Sequence, residues 1–481
     1  MINQFIFLLF LGILGLNFML FFRKTLSLIN IYALSLPMGL SFWEFILLIL
    51  FISGLPFNAY VIVFLNLFLL TTFIIYNFKN KNFSKKDLRY SVIYFLSFSL
   101  SSTFFIIVNY SFLTNDSWAL LLGGKYIAAY NNLSENLIPL GGTYSYFIHS
   151  SSSLFGFDYL YALFPLMALS LSLFYSYNLY SPLRGKSLAL NQEFFFSLLS
   201  VLFLLSSYFI LFNANYLHSN LIYGFYSFIA LYGLWKRLMS GDRNWLIISC
   251  VALLTASFMR TEGPLFSLII IIILISTRII KFKEKLYYVG IILLFVVAWY
   301  VKLLFIFPGL TSKYSLNTDR VILIIILYFI TFTVLLLSQK ITLNKLNKYF
   351  PLIMLYSLSL MWSVLIFTRG LKIKGGVPVL KKYGIFIVNT IKYGGWGVTW
   401  IALGLLFIAG LSLKRVKYES VFLYYIFSFA LLFNSINLYR GGWRLSWGDS
   451  GNRMLMHIIF IIAFYAFLKF RNVLFTKALS E

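Results

Sequence analysis

Apolar runs of about twenty residues follow one another along nearly the whole chain, and few folds can accommodate them. They fall at approximately 2–22, 32–54, 57–76, 90–112, 157–180, 192–213, 218–235, 244–259, 262–280, 286–307, 319–338, 349–368, 396–413, 419–438 and 453–470. A helix needs about 20 apolar residues to cross a bilayer core. Inside lipid the backbone must satisfy its own hydrogen bonds. The expected fold is therefore an all-α polytopic membrane protein with about 14–15 transmembrane helices. Charged residues make up 11% of the chain, against about 25% in soluble proteins, and no polar stretch is long enough to fold a soluble domain. The first run, Ile2 to Phe22, lacks a basic leader and a small-residue cleavage site and reads as a retained helix. The single cysteine, Cys250, lies in an apolar run, so no disulfide framework is expected.

Basic residues give the orientation. Alternate connections carry Arg23 and Lys24; Lys79 to Arg89; Arg184 and Lys186; Lys236 to Arg243; Arg278 to Lys285; Lys340 to Lys348; Lys414 to Lys417; and Lys469 to Lys477. Together these hold 25 of the 39 basic residues. That parity is read as cytoplasmic. It implies a multi-pass protein of the cell (inner or plasma) membrane whose active site lies on the extracytoplasmic side. The opposite parity keeps 14 basic residues but only seven of the acids, Glu44, Asp116, Glu135, Asp158, Glu262, Asp319 and Asp449. A net positive outer face suggests an anionic substrate there. A miscounted helix, which would make the stretch around Lys381 and Lys382 cytoplasmic, is the bland alternative. With the basic residues set at helix ends among membrane lipids, no nucleic-acid partner is expected.

From Thr114 to Tyr159 the apolar pattern stops for about 45 residues, too long for a simple connector. Asp116 directly follows a spanning run and precedes a stretch in which Trp118, Leu122, Lys125 and Ala129 share a helical face. That stretch reads as an interfacial helix with Trp118 and Tyr126 as belt residues. Asn115, Asp116 or Ser117 could simply cap that helix; Asp116 could also remove a proton from an acceptor hydroxyl. Tyr126, Tyr130, Tyr144 and Tyr146 are candidates to stack on a ring. Glu135 and His149 read as loop surface, and Asp158 is the reserve acid.

Arg260, Thr261, Glu262 and Gly263 lie between two apolar runs with almost no loop, where charges should pair or meet a charged ligand. Arg440, Arg444, Asp449, Arg453 and His457 sit in or beside a late Gly- and Trp-rich stretch whose composition suits an anion. Arg453 begins a helix, with His457 one turn further on the same face. Contact with lipid headgroups is the alternative. Lys372, Lys374, Lys381, Lys382 and Lys392 occupy a Gly-rich segment read as re-entrant or interfacial. Lys302, toward the outer end of its run, is read as snorkelling or meeting the same anion. Glu44, inside the second run, is expected to pair with a neighbouring helix. There is no Walker motif, no HExxH and no internal repeat. A divalent metal would want converging carboxylates, which the spacing does not supply.

Three pieces in order, Asn115-Asp116-Ser117-Trp118 with Lys125 and Tyr126, then Arg260 to Gly263, then Gly448 to His457, resemble the C-type (GT-C) membrane glycosyltransferases. The resemblance implies sugar transfer from a polyprenyl-phosphate-linked donor to a glycan, lipid or protein acceptor, with inversion at the anomeric carbon. It implies Asp116 as general base, and Arg260, Arg444 and Arg453 on the donor phosphate. Lys125, Lys302 and His457 are further phosphate candidates, and Trp118, Tyr126, Glu262, Lys381 and Lys382 are further substrate contacts. On this reading 1–481 is a single membrane domain. Residues 1–89 are N-terminal helices with a basic cytoplasmic loop, and 90–280 a catalytic module with outer loop 113–157. Residues 281–481 are C-terminal helices with outer loops 369–396 and 438–453. Two features depart from the family's usual pattern: three helices precede the one leading into the loop, and Asp116 has no adjacent acid. The absence of an appended extracytoplasmic domain disfavours an oligosaccharyltransferase acting on protein. An O-antigen polymerase or ligase would place its long loop late, and a flippase or transporter of an anionic lipid-linked sugar would want charges along the bundle interior.

Overall fold

The computed structural model describes residues 1–80, 85–108, 115–130, 142–157, 160, 162–180, 187–215, 219–306, 318–338, 388, 392, 396–440 and 453–477. In chain order the helices are α1 (Ile2–Met19), α2 (Leu28–Ser53), α3 (Ala59–Lys79), α4 (Lys85–Val108), α5 (Asn115–Tyr130), α6 (Thr143–Leu154), α7 (Leu163–Tyr180), α8 (Ser187–Leu205) and α9 (Tyr208–Asn215). They continue with α10 (Asn220–Ser240), α11 (Asn244–Met259), α12 (Gly263–Ser276), α13 (Phe282–Ile306), α14 (Thr318–Leu337), α15 (Thr399–Ser412), α16 (Ser420–Arg440) and α17 (Met456–Lys477). No strand occurs among the described residues. Seven of these helices are long and apolar enough to cross a membrane, or eight if α8 and α9 form one bent span. α7, α11, α12, α15 and α16 carry shorter apolar stretches. The chain is thus built as a polytopic helical membrane protein. The expected run at 349–368 lies outside the described residues.

α1 packs closely against α2. A Cβ at Gly15 would fall on the Ser35 carbonyl oxygen, and one at Gly39 on the Leu11 carbonyl oxygen. Lipid supplies no hydrophobic drive between helices, so backbone approach through small residues is what holds such a pair. Ser27 starts α2 by accepting from Asn30 N–H, and Gly54 (φ 71°) ends it in the left-handed region that glycine tolerates. The apolar window of α2 is 78% buried, against 17% for α3 and for α4. Those two form the rim and expose Phe64, Phe68, Leu96 and Leu100, the surface expected to meet lipid. Buried hydrogen bonds cross-link the centre. Tyr226 Oη donates to Pro37 O (2.5 Å), Asn178 Nδ2 to Asn30 Oδ1 (2.7 Å), Tyr232 Oη to Asn178 Oδ1 (2.6 Å) and Ser249 Oγ to Ala230 O (2.6 Å).

Among the described residues, connections of the two parities lie at opposite ends. At one end Arg23 pairs with Asp87, Arg237 and Arg243 with Glu284, and Lys469 with Glu419. There Asn244 Nδ2 also donates to Thr25 Oγ1, and Arg471 to Leu179 O. At the other end Lys302 lies beside Gly54, Gly142 beside Arg260, and Asn220 beside His457.

One expected span is not straight. The run 192–213 bends by 82° between Leu205 and Tyr208. Ser206 Oγ donates back to Phe203 O (2.6 Å) at that point, and a serine that bonds to the preceding turn bends a helix.

Candidate functional site

The reversal between α11 and α12 organises the end away from Glu284. α11 stops at Met259 because Arg260 turns extended (φ −136°, ψ 151°). Gly263 N–H closes a turn on Arg260 O (3.0 Å), and Pro264 fits the first turn of α12, where no N–H is needed. A Cβ at Gly263 would stand 2.6 Å from Ala256 O, so the reversal has room only for glycine. Ser257 Oγ donates to Ser267 Oγ (2.7 Å) and pins the two helices together.

Within this turn Arg260 folds over Glu262. Its Nη2 and Nε meet the same oxygen, Oε1, at 3.0 and 3.2 Å, with the side chains 14% and 10% exposed. Other helices close around the pair. Tyr328 of α14 donates to Pro264 O (3.0 Å). The pair's charges reach Tyr223 of α10, and that of Glu262 reaches Tyr300 of α13. His457 of α17 lies within reach of Arg260, Glu262 and Arg453. Arg453 opens the helical turn that leads into α17, and its partly buried side chain is four residues from His457. Among the described residues, two guanidinium groups meet one carboxylate here, an arrangement suited to an anion.

The stretch with no spanning run supplies two helices. α5 and α6 form a hairpin crossing at Gly124, where a Cβ would stand 2.6 Å from His149 C and Ser150 N. α6 then docks on the reversal: Gly142 touches Met259 and Arg260 backbone, Ser145 Oγ donates to Met259 O (2.9 Å), and Tyr144 meets Phe258 at 5.3 Å. Asp116 falls in the first turn of α5, which ties its chain position to the reversal through α6. Its side chain, with Asn115 and Ser117, lies outside the described residues, as do Asp158, Glu135, Arg444, Lys381 and Lys382.

The face of α5 formed by Trp118, Leu122, Lys125, Tyr126 and Ala129 is exposed, while Leu120, Leu121 and Ile127 are buried. Lys125 makes no ion pair among the described residues, and Tyr126 lies against Tyr130 (4.8 Å). Lys302 Nζ lies 3.6 Å from the position a Cβ at Gly54 would take, beside the carboxyl end of α2, where a cation is favourable. The structure thus brings Arg260, Glu262, Arg453 and His457 together. It leaves Trp118, Lys125 and Tyr126 on an outward face and Lys302 at a neighbouring helix end.

Three expectations are corrected. Tyr144 and Tyr146 are not loop aromatics, since each is 1% exposed on α6. His149 is not loop surface but buried at the α5–α6 crossing. Glu44 does not pair with a neighbouring helix: it is fully buried, and neither oxygen has a partner among the described residues. The cause of the first two is that 143–152 folds as a helix enclosed on every side by its neighbours, α5 and α11 among them.

A groove of about 350 Å³ runs between α2, α11 and α13, from Tyr144 at the reversal to Arg243 and Glu284 at the opposite end. Its lining is mostly apolar, with Phe42, Phe45, Leu246, Cys250, Leu254 and Ile291. From Arg243 to Thr255 it follows α11 for about 18 Å, at a rise of about 1.5 Å per residue. Sequence gave no signal for it, since it arises from packing between helices far apart in the chain. No group of three or more His, Cys, Asp or Glu able to hold a metal occurs among the described residues. No family profile, curated protein or solved structure matches the chain.

Proposed function

We propose that this chain is a membrane glycosyltransferase. It moves a sugar from a polyprenyl-phosphate donor to a lipid-linked or cell-envelope glycan acceptor, at the end of the bundle that carries Arg260 and on the extracytoplasmic face of the cell membrane. The observation that carries the reading is the meeting of Arg260, Glu262, Arg453 and His457 beside the docked α5–α6 hairpin. The groove from Tyr144 along α11 offers an apolar path for a lipid tail leaving that end.

In the proposed reaction the acceptor hydroxyl oxygen attacks the anomeric carbon from the face opposite the phosphate. The bond from that carbon to the phosphate oxygen breaks, and the electron pair leaves with polyprenyl phosphate. The hydroxyl proton passes to Asp116. Arg260 and Arg453 stabilise the charge that develops on the leaving phosphate, and Glu262 orients Arg260. The test supplies radiolabelled polyprenyl-phosphate sugars and lipid-linked glycan acceptors to the purified chain. Transfer is expected with wild type and lost with Asp116→Asn. Wild-type transfer by Asp116→Asn would remove Asp116 as base, and accessibility labelling that put Asp116 and Arg453 on opposite sides of the membrane would remove the site.

One observation favours a second reading. A buried Glu44 with no partner among the described residues, inside a spanning helix, is what a transporter of an anionic lipid-linked sugar would carry along its path. Flux of a labelled lipid-linked sugar across proteoliposomes, without transfer, would select that reading.

A further inference from the structure

The starts of α10 and α17 hold polar groups that the bundle leaves uncommitted. His457 Nε2 and Asn220 Oδ1 are 3.3 Å apart, and both side chains are fully buried. His457 Nδ1 and Asn220 Nδ2 have no partner among the described residues. Turning the amide over and moving the imidazole proton gives the same outcome: at least one donor and one acceptor remain. A hydroxyl group donates and accepts at once and can meet one of each. An ionised phosphate or carboxylate only accepts, and would leave the remaining acceptor, ring nitrogen or amide oxygen, facing another acceptor.

The same surplus recurs along the α8–α9 break. Ser207 Oγ, Asn213 Oδ1 and Ser219 Oγ are buried and unpartnered among the described residues, and so is the indole N–H of Trp396. The Trp396 ring lies 4.6 Å from Phe209 of α9, and Asn213 Nδ2 donates to Phe209 O one turn away. Tyr223 faces the His457 ring at 4.4 Å. Unsatisfied polar groups are costly in a lipid-embedded bundle, and broken helices are where membrane proteins gather them around a ligand.

We propose that the α8–α9 break and the starts of α10 and α17 bind a neutral, hydroxyl-bearing ring, with His457 and Asn220 together holding one of its hydroxyls. Identifying that ring as the transferred or accepting sugar rests on the glycosyl-transfer reading. The role differs from the phosphate contact that the spacing of Arg453 and His457 suggests. Arg453 and Arg260, within reach of His457, place an anion beside the ring, as in a sugar phosphate.

The test uses the full chain in native-lipid discs made without glycoside detergent. Octyl glucoside, octyl galactoside and octyl mannoside are titrated below their micellar concentrations, with octyl phosphate as the anionic comparator, following tryptophan fluorescence and melting temperature. At least one glycoside is expected to shift both signals. Asn220→Leu and His457→Phe should weaken that response by about tenfold and leave the octyl phosphate response unchanged. Trp396→Phe, which keeps a ring and drops the N–H, should weaken it in the same direction. Without ligand, Trp396→Phe should melt no lower than wild type, because it removes only a buried N–H that has no partner among the described residues, whereas Asn220→Leu and His457→Phe also break the His457–Asn220 contact and should melt lower. Absence of any glycoside response in wild type overturns the proposal, as does a response the variants retain. Lower melting temperatures with an unchanged response would make the pair a structural contact. If Asp116→Asn transfers sugar normally while the glycoside response still needs Asn220 and His457, the transfer reading falls and this one stands.

Discussion

Gly124 lies so close to the main chain of His149 that a Cβ added at 124 would stand 2.6 Å from the His149 carbonyl carbon. The neighbour is backbone, which cannot rotate away as a side chain could. Gly124→Val is therefore expected to part the α5–α6 hairpin and lower stability by about 1–3 kcal/mol. A thermal melt checks this. Gly290→Ala, at a position with nothing within 4 Å of the added methyl, is the control and should not fall.

The Arg260–Glu262 pair predicts non-additive substitutions. Glu262→Ala removes the carboxylate that a largely buried guanidinium meets and should cost up to about 3 kcal/mol. Adding Arg260→Met should recover part of that loss, with a coupling of about 1 kcal/mol in a double-mutant cycle. Strictly additive losses would show that the two side chains act independently.

Glu44 predicts a gain. A fully buried carboxyl without a partner among the described residues is a cost the fold carries. Glu44→Leu should raise the melting temperature, by an amount corresponding to roughly 1–3 kcal/mol. A lower melting temperature would mean that the carboxyl supports the packing of α2.

Cys250 reports on the groove. It lines the cavity between α2, α11 and α13 and is the chain's single thiol. A long-chain polyprenyl phosphate should slow its reaction with a membrane-permeant maleimide, whereas a short alkyl phosphate should not. Equal protection by both would place the lipid chain elsewhere.

The helical membrane character was legible because runs such as 282–306 and 318–337 are set by length and hydropathy alone. The reversal at Arg260 was legible too, since two apolar runs abut at a Gly-Pro pair. Arg453 does come within reach of His457, although a turn at Leu455 separates it from α17. Other features depend on partners distant in sequence. Asn220 meets His457 across 237 positions, and nothing near Asn220 announces it. Tyr144 and Tyr146 looked like loop residues because they fall inside the Thr114–Tyr159 stretch that carries no apolar run, yet Gly142 is where α6 begins against Met259. Glu44 reads as half of an ion pair until the packing shows no cation beside it among the described residues.

The crossing of α1 and α2 bears on how the protein is made. Its contacts join residues only some two dozen positions apart, Gly15 with Ser35 and Leu11 with Gly39. Such a hairpin can close while later segments are still on the ribosome, because little chain entropy is lost in bringing its halves together. α7, α11 and α13 all pack on α2, so they would insert against a surface already formed. Damage at Gly15 or Gly39 should therefore appear first as chains degraded during membrane insertion, before any defect in a finished protein.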